Sequence, residues 1–203
     1  MQGTKQTLRS PGRPREFDIG DALDKAIGVF RERGFHATSI ADLKAAMSLA
    51  SGSIYKAFKD KPAIFLAALA RYIGKRDELA AQRFAAARSG RERLRALLDI
   101  YAESSHGEEG RRGCLVVGST VELATFDADV RASVAAAVKR NESLFAELIA
   151  QGQADGSIAS QRDPKALALL MLCIAGGMRV AGKTGRSRRE MTAVVDAAMK
   201  LLD

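Results

Sequence analysis

Apolar residues recur three and four positions apart along most of this 203-residue chain. The segments with this spacing are rich in Ala and Leu and are separated by Gly, Pro and helix-capping residues, whereas strand patterns are nearly missing. Such spacing places side chains on one face of an α-helix. We therefore predict an all-α fold of about nine helices, with the polar segment HGEEGRRG (residues 106–113) as a loop between two of them.

The composition indicates a globular, basic protein. Hydrophobic residues make up 47% and charged residues 28% of the chain, which is enough for a buried core. Lys and Arg (32) outnumber Asp and Glu (24), so the formal net charge is +8. This excess favours a polyanionic partner, either nucleic acid or acidic lipid, without choosing between them.

Membrane and enzyme signatures are not found in the sequence. No apolar run approaches the roughly 20 residues that a membrane span requires, and the N-terminus lacks the apolar core of a secretion signal. His36, His106, Cys114 and Cys173 do not have metal-ligand spacing, and no phosphate-binding glycine loop or nucleophile elbow occurs. We predict a cytoplasmic protein without enzymatic activity, metal or cofactor.

The stretch from Thr38 to Phe58 predicts two short helices joined by a tight turn. Thr38 or Ser39 would cap the first helix, and Ser51 would cap the second after a connector of three residues. A connector this short holds the pair at a steep angle, which is the helix-turn-helix arrangement. The side chains expected to attach the pair to a core are Ile40, Leu43, Ile54 and Phe58.

The second helix of this pair suits the major groove of duplex DNA. Its first turn has small residues that permit close approach, and its next turn offers side chains that form hydrogen bonds. Thr38 and Lys61 begin the flanking helices, where each is expected to bind a phosphate. The predicted DNA-contacting residues of the helix are Ser51, Gly52, Ser53, Tyr55 and Lys56.

The first fifteen residues contain four basic side chains and no acid. Within them, Gly12, Arg13 and Pro14 resemble the core of an AT-hook, in which proline keeps the chain extended and arginine enters an A·T minor groove. The alternative is a disordered tail that adds only solubility. If Arg13 and Arg15 contact DNA, deletion of residues 1–15 should weaken DNA binding and flatten its salt dependence.

The segment Phe30 to Phe65, FRERGFHATSIADLKAAMSLASGSIYKAFKDKPAIF, resembles the DNA-binding domain of TetR-type (tetracycline-repressor) transcriptional regulators. The resemblance implies an all-α homodimer in which three N-terminal helices and the start of the fourth bind DNA. The other helices would bind a ligand and dimerise. The resemblance covers residues 17–65 and rests on Gly34, Thr38, Ile40, Ala41, Ser51, Gly52, Ile54, Tyr55, Phe58 and Lys61.

The resemblance implies three parts and a function. The parts are a flexible basic arm (1–16), a helix-turn-helix domain (17–62) and a helical effector-binding and dimerisation domain (63–203). The implied function is that of a sequence-specific regulator, a repressor that a ligand releases from a palindromic operator. Two alternatives stay open: an electrophile or oxidant sensor acting through Cys114, and a helical interaction module that does not bind DNA.

The predicted dimer surface lies on the last two helices, the eighth and the ninth. Small residues at 175–177 would allow close helix approach across a two-fold axis, although packing within one chain is the alternative. The apolar residues of this surface are Ala166, Leu167, Leu169, Leu170, Leu172, Ile174, Val194, Val195, Ala198 and Leu201.

An effector pocket is predicted in the second domain. Few unpaired charges fall on the inner helix faces, so a small, neutral, hydrophobic ligand is favoured. Cys114 is expected to begin a helix directly after Arg111 and Arg112, and the helix dipole with these cations would favour its thiolate. Ordinary core packing is the alternative for each candidate. The candidates are Phe84, Leu97, Tyr101, Cys114, Val117, Val121, Phe145 and Met171.

Overall fold

A computed structural model describes residues 18–49 and 51–203, and the regular secondary structure in these ranges is entirely helical. The predicted all-α class is confirmed. The basic arm, with Arg13 and Arg15, lies outside the described residues. The helices are α1 (Ile19–Arg33), α2 (Ile40–Met47), α3 (Ser51–Ala57), α4 (Lys61–Phe84), α5 (Gly90–Glu103), α6 (Gly107–Arg112), α7 (Leu115–Val121), a 3₁₀ turn (Leu123–Thr125), α8 (Ala128–Ala154), α9 (Pro164–Gly182) and α10 (Arg188–Lys200).

The described helices number ten rather than nine because the polar segment after α5 is not a loop. It forms α6, a helix of six residues. Gly107 begins this helix with a φ angle of 60°, and Gly113 follows it with a φ angle of 80°. Glycine adopts both conformations readily. Acids in its first turn and arginines in its last turn complement the helix dipole, whereas the polarity of the segment had favoured a loop.

Side-chain caps set several helix boundaries. Ser39 caps α2, and Ser39 and Asp42 exchange the two hydrogen bonds of a capping box. Ser187 and Glu190 form a second capping box at the start of α10. Ser48 ends α2 in the left-handed conformation, with φ of 56°, which turns the chain sharply toward α3.

Two hydrophobic cores build the protein. We call α1 to α3 with the start of α4 the head, and the remaining helices the body. The first core joins the two, because Phe35 and Phe65 of the head pack against Phe126 of the body. The rings of Phe35 and Phe126 are 5.1 Å apart and nearly perpendicular, a favourable aromatic geometry. The second core lies within the body, between α5, α8, α9 and α10.

Helices α5 and α8 approach each other through glycine. A Cβ atom added to Gly90 would lie 2.1 Å from the backbone nitrogen of Gly152. The start of α5 is also bound to the turn after α8, because Gly90 N donates to Asp155 Oδ2 at 2.7 Å and Arg91 N donates to Ser157 Oγ at 3.1 Å. This crossing therefore requires a residue without a side chain.

Helix α9 is long and apolar enough to cross a membrane by length and composition alone, so the prediction that no segment has this property is wrong. In the fold it packs chiefly on α8, with Leu167, Met171 and Met178 in the second core. Arg179, near its end, is also fully buried. Core packing therefore accounts for the apolar residues on its buried side.

An ion cluster connects α1 to α4 in the head. Asp24 accepts hydrogen bonds from Arg71 Nε (2.8 Å) and Nη2 (2.7 Å) and from Lys75 Nζ (2.7 Å). The bonds from Arg71, together with Lys75, outweigh burial and lower the pKa of Asp24 to about 2. Because the carboxylate is a third exposed, solvent screens much of this interaction.

Replacing Asp24 with Asn is expected to destabilise the protein by about 1 kcal/mol or less at neutral pH. The folded pKa lies below the unfolded one, so the stabilisation is complete above about pH 4 and is lost as the pH falls toward 2. Urea unfolding at pH 7, 4 and 3 measures this loss of stability, with Glu147→Gln at an exposed position of α8 as the control. A difference from wild type that does not shrink with acidification would contradict this assignment.

Candidate functional site

The helix pair α2–α3 presents one buried and one exposed face. Leu43, Ile54 and Phe58 are buried and Ile40 packs against the same core, which confirms the predicted attachment. Gly52, Tyr55 and Lys56 are exposed, with 59% of Tyr55 accessible, and Ser53 is half-buried. Ser51 begins α3, but its side chain lies outside the described part of the chain. A polar, aromatic and cationic surface therefore lies on the outer side of α3.

Thr38 and Lys61 occupy different positions from those expected of phosphate ligands. The Thr38 side chain is 1% exposed, and its hydroxyl donates to the carbonyl of Gly34 at 2.6 Å. Lys61 Nζ donates to the carbonyls of Phe35 and Thr38, both at 2.9 Å, and lies 4.3 Å from the Phe35 ring centre. Carbonyls left free after a helix end need such donors. Both residues therefore hold the α1–α2 turn, and a phosphate contact by Lys61 would require release of these bonds.

Replacing Thr38 with Val is expected to destabilise the protein by about 1 kcal/mol, because a buried hydrogen bond is lost while the side-chain shape is kept. The affinity of the folded variant for DNA should change by less than about threefold, which is under 1 kcal/mol. The reason is that the Thr38 hydroxyl bonds to Gly34 inside the turn. Thermal unfolding and fluorescence anisotropy measure the two effects, with Thr192→Val on α10 as the control. Unchanged stability with a large loss of DNA affinity would instead indicate a phosphate contact.

Polar contacts attach the head to the body beside Gly113. Arg31 of α1 donates to the Gly113 carbonyl from Nε (2.9 Å) and Nη2 (2.6 Å) and pairs with Glu109 at 2.6 Å. In the turn between α1 and α2, Phe35 N donates to the Glu122 carboxylate at 3.2 Å. A displacement of α6 or α7 would therefore act directly on α1 and on the turn that precedes α2.

A cavity of about 250 Å³ lies in the body, between α4, α5, α7, α8 and α9. Three of the predicted pocket residues, Tyr101, Cys114 and Val117, line it. Its other lining residues are Tyr72, Ile73, Arg76, Asp77, Val116, Thr120, Val138, Asn141, Leu172, Cys173 and Gly176. A mostly apolar lining with a few polar groups is typical of a small-molecule site.

Five of the predicted pocket residues do not line this cavity. Leu97, Phe145 and Met171 are buried in the second core, and Phe84 packs against it. Val121 is 84% exposed and lies on the rim of a separate groove between α1, α7 and α9. Helical periodicity identifies which face is buried, but it does not identify which buried side chain borders a void.

Arg179 and Arg76 are the functional candidates that periodicity missed. Arg179 is 1% exposed, donates to the Gly113 carbonyl at 2.6 Å, and has an Nε without a hydrogen-bond partner. The Arg76 guanidinium carbon lies 5.8 Å from the ring centre of Tyr72 and 5.0 Å from that of Tyr101. Neither arginine takes part in an ion pair within the described residues. For Arg179, a basic residue inside the apolar pattern of α9 was the available signal. The sequence around Arg76 is itself charged and offers no such signal.

Cys114 is the residue that connects this charge to the cavity. It precedes α7, is buried, and its Sγ lies 3.4 Å from the Tyr72 hydroxyl. Burial by itself raises the pKa of the thiol, but the positive charges of Arg179 and Arg76 outweigh burial and lower this pKa. Burial and the neighbouring thiol raise the pKa of Tyr72 to about 12.

The cations expected beside Cys114 were the wrong ones. Arg111 and Arg112 are exposed, and Arg112 pairs with Glu108 on the surface of α6. The cations that act on the thiol come instead from α4 and α9, which are distant in sequence. These two residues, Arg76 and Arg179, also contradict the expectation that few unpaired charges border the pocket.

Helices α9 and α10 also expose an apolar surface. Of the residues predicted for an interface, Leu167, Val195 and Ala198 are buried in the chain's own core, so their assignment is corrected. A helix buries only one side, and the sequence run combined both. Gly177 on α9 has open space where a side chain would point. The large exposed residues of this surface are Leu169, Leu170, Val180, Val194 and Leu201.

Comparison with known proteins decides the family. A family model described as bacterial regulatory proteins, tetR family, matches residues 22–68, and a tetracyclin repressor-like C-terminal domain model matches residues 90–198. The chain belongs to the TetR family. It is a DNA-binding transcriptional regulator and not an enzyme, as predicted.

Individual relatives of this TetR-family regulator extend along its whole length. The transcriptional repressor ComR of Escherichia coli is 29% identical, with 98% of this chain and 95% of ComR aligned. The TetR-family regulator CifR, solved as a cysteine mutant with 26-base-pair operator DNA, is 33% identical and has a TM-score of 0.83. That comparison covers 95% of this chain and all of CifR.

Proposed function

We propose that this TetR-family regulator is a repressor that leaves its operator when a small molecule occupies the cavity beside Cys114. The supporting observation is the shared Gly113 carbonyl, which accepts hydrogen bonds from Arg31 of the head and from Arg179 of the body. Cys114, the next residue, lines the cavity. A ligand that moves this segment would therefore move α1 and the recognition surface behind it.

The proposed division of labour follows the chain. The arm (1–16) and the helix-turn-helix region (17–62) would bind DNA in the cytoplasm, and the rest (63–203) would bind the effector and dimerise. The residues proposed to contact DNA are Arg13, Arg15, Ser51, Gly52, Ser53, Tyr55 and Lys56. The shared aromatic core around Phe126 supports coupling between the two regions, because neither can shift without repacking it.

The proposed mechanism is a shift between two conformations. Two recognition helices must lie about 34–36 Å apart to enter successive major grooves of a palindromic operator. A ligand that prefers a different spacing lowers DNA affinity by linkage. Moving the population from about 99% in the DNA-binding form to 99% in the other form requires roughly 5.5 kcal/mol of differential binding.

The proposed dimer forms through the exposed apolar surface of α9 and α10. Leu169, Val180, Val194 and Leu201 would pack against the same residues of a second copy, as in a four-helix bundle. Cys173 and Gly176, which border the cavity, belong to α9 as well, so the partner would lie near its wall.

Replacing Leu169 with Glu is expected to convert the dimer to a monomer at micromolar concentration, because a charge would enter an apolar interface. Operator affinity should fall with it. Sedimentation velocity measures the assembly, and Ala86→Glu, at an exposed position after α4, is the matched control. A wild-type protein that sediments as a monomer would reject the proposed interface.

The test of the proposed regulator is a direct comparison of DNA with lipid. A gel shift with duplex DNA should show salt-sensitive, sequence-selective binding. Flotation with anionic liposomes addresses the alternative helical module, for which the basic arm would bind lipid. Binding to liposomes without selectivity among DNA sequences would overturn the proposal.

A second candidate function, a thiol-based sensor, is favoured by the position of Cys114 in the cavity wall and by its lowered pKa. Modification by an electrophile or oxidant would place a larger group beside Arg179 and Arg76 in the cavity wall. In a Cys173→Ser background, alkylation of Cys114 with iodoacetamide should lower operator affinity. Cys114→Ser in the same background should make the protein insensitive. Full alkylation without a change in affinity would remove this candidate.

A further inference from the structure

We infer that the cavity beside Cys114 binds the carboxylate of a small, mostly apolar organic acid, with Arg76 as its charge partner. This inference rests on the proposed function, because it names the class of effector for the same cavity. It replaces the neutral ligand that the sequence favoured.

Arg76 is a charged group on the cavity wall without an acidic partner. Its guanidinium lies beside the rings of Tyr72 and Tyr101, whose side chains also interact with it, and its Nη1 donates a long hydrogen bond of 3.4 Å to Ser104 Oγ. It takes part in none of the ion pairs formed by residues 18–49 and 51–203. A guanidinium has five N–H donors in a planar fork that matches a carboxylate. The fork is thus available to a ligand in the cavity.

The charged groups around the site lack a negative partner. Arg179 is a second buried cation, with an unpartnered Nε, on the other side of Cys114. Asp77 is in the cavity wall, but its carboxylate pairs with Arg140 at 2.6 Å. Neither Arg76 nor Arg179 therefore has a carboxylate partner among the described residues, and an anionic ligand would supply one. Buried charge without a partner is unfavourable, so the missing partner supports an anionic ligand.

The rest of the wall defines the body of the ligand. Ile73, Val116, Val138 and Leu172 are apolar, and about 250 Å³ accommodates a short alkyl chain or one aromatic ring. The Asn141 amide forms no side-chain hydrogen bond within the part of the chain that the structure describes, so it offers a second donor. A polyphosphate carries more negative charge than Arg76 and Arg179 together balance.

The test compares acids with amides of the same shape. Isothermal titration of the full-length protein uses three pairs: hexanoate with hexanamide, benzoate with benzamide, and phenylacetate with phenylacetamide. At least one acid should bind about tenfold or more tightly than its amide, as expected for a charge-assisted hydrogen bond. No preference for any acid, including no detectable binding, would overturn the inference.

Variants assign the preference to Arg76. Arg76→Met should abolish the preference for the acid, and Arg76→Lys should retain part of it, which a purely structural role of the residue would not produce. Arg83→Met, on the exposed side of the same helix, should leave it unchanged. A preference that survives in Arg76→Met would also overturn the inference.

DNA binding of each protein without ligand is measured in parallel. A wild-type protein that prefers the acid but binds no DNA would refute the proposed function and leave the ligand class standing. A protein that binds DNA but shows no preference for the acid over the amide would refute the ligand class and leave the proposed function standing.

Discussion

Replacing both Tyr55 and Lys56 with Ala is expected to weaken operator binding by about 100-fold or more while leaving the fold intact. Both side chains are exposed on the outer side of α3, and the core contacts are made instead by Ile54 and by Phe58, directly after the helix. A dimer on a palindromic site presents each side chain twice, so each lost contact counts twice in the binding free energy.

Fluorescence anisotropy over a range of salt concentrations measures this effect. Loss of a Lys–phosphate contact lowers the slope of log affinity against log salt by about one for each contact. Lys200→Ala, on exposed α10 at the opposite end of the chain, is the control for a simple change in net charge. Wild-type affinity in the double variant would exclude this surface of α3 from the DNA contact.

Replacing Gly90 with Ala is expected to destabilise the protein by about 3 kcal/mol or more. The added Cβ would meet backbone atoms of Gly152, at 2.1 Å from N and 2.5 Å from Cα, and no rotamer change relieves a backbone contact. Helices α5 and α8 would have to separate. This would weaken the hydrogen bonds that bind Gly90 and Arg91 to the turn after α8.

Urea unfolding measures the loss, with Gly28→Ala as a control of opposite sign. Gly28 lies within α1 with no atom near the added Cβ, so alanine there should stabilise the helix by about 0.5–1 kcal/mol. If Gly90→Ala were as stable as wild type, the close crossing of α5 and α8 would be contradicted.

The head could be predicted from sequence because its determinants are local. Ser39 and Asp42 form the cap of α2, and Leu43, Ile54 and Phe58 lie on the buried face that their spacing indicates. The two wrong predictions in the head concern the bonding partners of Thr38 and Lys61, not the helices themselves. Thr38 bonds to Gly34 inside the turn, which the sequence does not reveal because both ends of that bond look like surface residues.

The body was less predictable because its site depends on contacts between distant segments. Cys114 was identified, but the cations that act on it come from α4 and α9 and not from the adjacent Arg111 and Arg112. Phe145 and Met171 fit the same apolar pattern as cavity residues, yet they pack without a void. The location of a cavity follows from how helices cross, which periodicity does not encode.

The central claim is that this protein reads a symmetric DNA site as a dimer. The most direct test is selection of bound duplexes from a random-sequence library, followed by sequencing. The account predicts an inverted repeat whose half-sites are centred about one helical turn apart, or a multiple of it. A pool without an enriched motif, or one enriched in a single asymmetric half-site, would contradict it.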